Sequence, residues 1–130
     1  MDIVHLRDVK KKLVETRTIQ WLIADEGAFQ SDLCTCNVVE LAPGSCAKPP
    51  HSHSEEEEAV YVLEGKGEMC SAEGKSYPVE AGTFLLLRKN EIHMLQNNSD
   101  ANLKVICFFP SKTHVSKYTF HPMQSVGLAE

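Results

Sequence analysis

The chain is 130 residues long, 42% hydrophobic and 24% charged, with a net charge of −5 at neutral pH and a mean hydropathy of −0.24. That length buries one hydrophobic core, so one soluble globular domain over 1–130 is expected. The acidic balance, with basic residues scattered apart from Lys10-Lys11-Lys12, argues against nucleic acid or an anionic membrane as a partner. No run approaches a membrane span, and MDIVHLRDVKKK lacks the apolar stretch of a signal peptide, which makes the cytoplasm the expected compartment.

In chain order, residues 5–15 place Leu6, Val9, Leu13 and Val14 on one side of a predicted short helix. Residues 18–24 read as a strand and Asp25-Glu26-Gly27 as a turn. Residues 31–41 alternate and form a second strand, ending at the turn-forming Ala42-Pro43-Gly44. Pro49-Pro50 then keeps the chain extended, because proline fixes its own φ and disfavours helix in the residue before it. After Gly65, predicted strands at 67–71 and 75–79 flank a turn at 72–75 in a hairpin. Residues 84–87 are expected to be a buried strand by composition. Asn97-Asn98-Ser99-Asp100 reads as a turn, and 103–109 is a strong strand stopped by Pro110. Short strands between regular turn signals, with almost no helix, indicate an all-β sandwich or barrel.

The stretch GSCAKPPHSHSEEEEAVYVLEG carries the chemistry. In an extended segment residues i and i+2 share a face, so His51 and His53 aim at one point. Glu58 opens the period-2 strand Glu58-Ala59-Val60-Tyr61-Val62-Leu63. Two histidines and a carboxylate can hold a divalent metal, and His93, in GTFLLLRKNEIHMLQN, offers a fourth ligand. Glu55 and Glu56 are expected on a solvated face, and His5 and His114 at the surface. By alternation Val60 and Val62 share the side of Glu58, while Tyr61 faces away.

These segments resemble the paired motifs of the cupin superfamily. The first reads Gly44, His51-Ser52-His53, Glu58, Gly65, and the second reads Gly82, Arg88-Lys89-Asn90, His93, Asn97. Departures are a first spacer one residue longer than usual, and Arg88 and Asn90 where the family has proline and glycine. Asn tolerates a left-handed backbone nearly as well as glycine does. The resemblance covers about 38–110 and implies a jelly-roll barrel (a double-stranded β-helix) with a metal inside. It implies His51, His53, Glu58 and His93 as the ligands of one divalent transition metal: manganese, iron, nickel, cobalt or zinc. Asn97 is expected to hold the turn after His93.

The five cysteines form no C-x2-C pair and are expected as reduced, small apolar side chains, with Cys46 the best candidate for a thiol near the metal. The tail, SKTHVSKYTFHPMQSVGLAE, is too apolar in Tyr118, Phe120 and Met123 for a free end. Either it is a last strand packed on its own barrel or on a partner subunit, or it covers the barrel mouth with His121 or Tyr118 near substrate. The cupin resemblance implies a small metalloenzyme of dioxygenase, isomerase, lyase or decarboxylase type acting on a chelating small molecule. The alternative is a non-catalytic small-molecule-binding or sensing module. No residue stands out as a general acid or base, and a homodimer is expected.

Overall fold

The computed structural model describes residues 1–130 as eleven strands in two antiparallel sheets. In chain order the strands are β1 (Lys12–Val14), β2 (Arg17–Ile23), β3 (Thr35–Leu41), β4 (His51–His53), β5 (Glu58–Glu64) and β6 (Lys66–Ser71). They continue with β7 (Ser76–Glu80), β8 (Phe84–Leu87), β9 (His93–Gln96), β10 (Leu103–Phe109) and β11 (Tyr118–Phe120). The large sheet runs β1-β2-β3-β10-β5-β8 and the small one β11-β4-β9-β6-β7. This is the expected all-β jelly roll.

Alternation along the long strands builds the interior. In β10, Leu103, Val105, Cys107 and Phe109 are buried, and in β5 so are Glu58, Val60 and Val62. Pairing of β10 with β3 sets Val105 against Val39 and Cys107 against Asn37, which carries one inward row across the sheet. Large apolar side chains buried this way contribute about 1.5–3 kcal/mol each. Tyr61 faces solvent, as alternation requires.

Gly44, Gly65, Gly82 and Asn90 all have positive φ, so the asparagine does take the left-handed turn that a glycine usually fills. A Cβ at Gly65 would collide with the carbonyl oxygen of Asn102, so the turn between β5 and β6 sits directly on the chain entering β10.

Two local readings are corrected. Residues 5–15 form no helix beyond one 3-10 turn at Leu6–Asp8, and Lys12–Val14 pairs with β2 instead. So short a helix has too few internal hydrogen bonds to resist an open sheet edge. The strand at 84–87 exists, but Phe84 is 65% and Leu86 43% exposed, and only Leu87 is buried. β8 is the edge of the large sheet, and one of its faces has no layer over it.

Candidate metal centre

The site joins the two sheets. After Pro50, β4 turns His51 and His53 inward and Ser52 outward, where its hydroxyl lies 2.9 Å from His121 Nε2. His93 opens β9 and is the residue through which β9 pairs with β4, directly opposite His51. Glu58 comes from the other sheet, at the first position of β5. One ligand atom from each of His51, His53, Glu58 and His93 lies within 4.8 Å of all the others. Donors bonded at about 2.2 Å on opposite sides of an ion stand roughly 4.4 Å apart, so a small contraction closes the set around a metal.

Hydrogen bonds orient these rings. His93 Nδ1 lies 2.9 Å from the carbonyl oxygen of Glu91, which leaves Nε2 pointing into the cluster. Glu58 Oε1 is 3.1 Å from His53 Nε2 and 3.2 Å from His93 Nε2. The latter contact is poorly aligned, and His93 Nε2 is buried without a hydrogen-bond partner. A buried nitrogen left unpaired beside a carboxylate and two further imidazoles is a donor set for a cation, and the residues fit a metal. Burial, and then the neighbouring His93, push His51 down to about 3, so it is neutral and ready to ligate. Burial works to raise Glu58, but the neighbouring His53 and His93 outweigh it and hold the carboxylate below its usual range. His93 is pulled down by burial and raised more strongly by Glu58, so its net shift is upward.

The tail is a last strand packed on its own barrel, and it also brings Tyr118 into the cavity. β11 pairs with β4, setting Tyr118 against His53 and Phe120 against His51. The Tyr118 ring stacks on His51 at 5.3 Å and meets His53 edge-on at 4.3 Å, inside the cavity. Burial, then the charge of Glu58, raises the phenol, which stays protonated. His121 lies outside the cavity, on the Ser52 side. Asn97 is fully buried and holds its turn, donating to Leu41 O and Ala101 O and accepting from Ser99.

Cys46 is not the thiol of the site. Its neighbour Ala47 lines the cavity, so Cys46 points the other way, against Cys70 and Met94. All five cysteines are unpaired, and the thiol beside Glu58 is Cys107, which burial and that carboxylate push well up. Glu56 is also corrected, being 6% exposed rather than solvated. His5 and His114 are at the surface. Val60 lines the cavity, while Val62 lies deeper in the core.

Other contacts escaped the sequence. Asn90 N donates to His53 O at 2.7 Å, and Arg88 pairs with Glu57 at 2.8 Å, so the two residues that depart from the family pattern tie the second motif to the first. The cavity above the cluster measures about 90 Å³ and is mostly apolar, with Arg17, Trp21 and Asn37 on its wall. Ile19 and Trp21 fall in the strand expected at 18–24, but nothing local says which face turns inward, and Arg17 precedes that strand.

Residues 37–109 match the sequence model of the Cupin domain family. The chain is a cupin. Over 53 residues this cupin is 40% identical to the L-ectoine synthase of Teredinibacter turnerae, a match covering 40% of the chain and 39% of that protein. Matches of this kind thus span about two fifths of the curated relatives' length. Among solved structures, the polyketide cyclase RemF from Streptomyces resistomycificus superposes with a TM-score of 0.75 at 25% identity, over 100% of this chain and 88% of that one. The ectoine synthase from P. lautus gives 0.71 at 19% identity, over 93% and 90%, and shares the fold. No helix is long and apolar enough to cross a membrane.

Proposed function

We propose that this cupin holds one divalent transition metal on His51, His53, Glu58 and His93 and acts on a small organic molecule that chelates the ion through oxygen. The observation that carries this reading is the convergence of three imidazoles and one carboxylate at the base of an apolar cavity. A metal in such a set supplies Lewis-acid polarisation of a bound oxygen or, for iron, dioxygen activation. His51 and His53 bind from β4, His93 is held in its tautomer by the Glu91 carbonyl, and Glu58 closes the set from the facing sheet. Val60, Leu87 and Leu95 keep water from the wall. The Tyr118 hydroxyl, protonated throughout, serves as a hydrogen-bond donor to the bound molecule. Among dioxygenase, isomerase, lyase and decarboxylase chemistries, the whole-chain likeness to a polyketide cyclase favours a lyase-like, ring-closing reaction.

One observation favours the alternative of a non-catalytic binding module. Outside the ligand set, the ionisable groups of the cavity are Arg17, Cys107 and Tyr118, and none is poised to move a proton near neutral pH. Elemental analysis of protein purified without an affinity tag, paired with His93→Ala, tests the metal. One equivalent of metal, lost in the folded variant, is expected. Full metal content in His93→Ala would remove the ligand assignment. Turnover of chelating carbonyl compounds by the loaded protein then separates enzyme from binder.

A further inference from the structure

We infer that the molecule this cavity takes carries an anionic group, a carboxylate, which Arg17 receives from the cavity wall. The inference deepens the metal reading above and rests on it.

Three observations converge. The strand register orders the inner face of the large sheet in rows. Glu58 stands at the start of β5, the next row carries Trp21, Asn37, Cys107 and Val60, and Arg17 lies two rows further along β2. Arg17 thus starts three rows from Glu58, and its side chain reaches Lys48 O and the neighbourhood of Tyr118, which sets a cation in the cavity wall apart from the four ligands. Secondly, Arg17 is half-buried in a wall that is otherwise largely apolar, yet it makes only one long hydrogen bond, to Lys48 O at 3.3 Å, and no ion pair. A guanidinium has five N–H donors in a planar fork suited to carboxylate, and most of these are free. Thirdly, Asn37, in the row between, is 5% exposed, and its Oδ1 is buried without a partner. Buried amides are normally satisfied, so this one awaits a donor from whatever enters.

Electrostatics agree with that placement. Burial lowers the pKa of Arg17 while leaving it charged, and its charge is felt by both Tyr118 and Cys107, the residues that also feel Glu58. In a chain of net charge −5, an unpaired cation facing into an apolar cavity selects for an anion that the rest of the surface repels. Glu15, nearby and exposed, makes no ion pair with it. The ligand class is therefore a short carboxylate that also carries an oxygen chelator for the metal and a hydrogen-bond donor for Asn37.

The test uses two probes with the same hydroxamate chelator, of which only the second carries a distal carboxylate: acetohydroxamate, and the monohydroxamate of succinic acid. Their affinities are measured by titrating cobalt-loaded protein and following the cobalt absorption. The anionic probe is expected to bind at least tenfold more tightly, the yield of one charge-assisted hydrogen bond. Arg17→Met should bring the ratio to about one, with cobalt content and acetohydroxamate affinity unchanged, and Arg17→Lys should keep part of the preference. A structural role for Arg17 alone would shift both probes together and leave their ratio intact. Equal affinities in the wild type, or a ratio that survives Arg17→Met, overturn the inference while leaving the metal reading standing. Failure to take up cobalt, or hydroxamate binding indifferent to cobalt, overturns both.

Discussion

The two sheets enclose one cavity and are built very differently. The large sheet contributes Glu58 and most of the apolar wall from strands seven residues long, paired on both sides and packed into the main core. The small sheet contributes all three histidines from strands of three and four residues, and β4 meets β9 through a single residue pair. What steadies β4 is the tail, by pairing on its other side and by placing Tyr118 against two of the imidazoles. The difference teaches that core and site are separable. The small sheet shares the main core through Met69, Val79 and Leu95, and its weakly held strand is β4, which the tail supports.

Metal removal should expose this division most strongly. Saturating metal, about a thousandfold above its Kd, stabilises the folded state by about 4 kcal/mol. Chelation should abolish that, and hydrogen exchange should show the loss of protection first in β4, β9 and β11. Affinity should fall as pH falls, because Glu58 holds His93 above its ordinary pKa and the incoming ion must then displace a proton. His51, already neutral, adds nothing at such pH values. Calorimetry in buffers of different ionisation enthalpy should find proton release on metal binding that shrinks as pH rises. Proton release that grows with pH would contradict the His93–Glu58 coupling.

Damage to the large sheet should look different. Leu103 is fully buried, and Leu103→Ala should cost about 2–5 kcal/mol in denaturant unfolding while leaving metal affinity unchanged. Tyr118→Ala reverses the pattern, with about 10- to 100-fold weaker metal binding, as for other groups that orient ligands, and a modest effect on unfolding. Tyr118→Phe keeps the ring contacts and should retain the affinity. Loss of affinity in Leu103→Ala equal to that in Tyr118→Ala would dissolve the distinction between the sheets. The smallest effect is expected at the uncovered edge: Phe84→Glu should change monomer stability by no more than about 0.5 kcal/mol. Light scattering on the same variant reports whether that face pairs two copies of the chain, the homodimer expected from the sequence.

How much was legible follows from the range of the interactions. His51 and His53 share a face by local strand geometry, and Pro49-Pro50 protects that geometry, so their convergence could be read directly. Glu58 and His93 required the motif spacing. The inward positions of β5 and β10 followed from alternation alone. By contrast, Cys107 becomes the thiol of the site because β10 runs beside β5, a pairing that leaves no trace in neighbouring residues. Cys46 looked better because it is close in sequence, and lost because its neighbour took the inward face. Phe84 was assigned to the interior by hydrophobicity, but edge position is a property of topology. Glu56 stood in an acidic run and was buried by contacts the run itself cannot show. Arg17 and Asn37 are ordinary residues in ordinary strands until the register sets them in one wall.

The tail strand also imposes an order of assembly. During synthesis His51, His53, Glu58 and His93 all emerge before Tyr118, yet the first two stay unsupported on one side until residues 118–120 are available to pair with them. The shaped cluster is complete only once β11 has paired with β4.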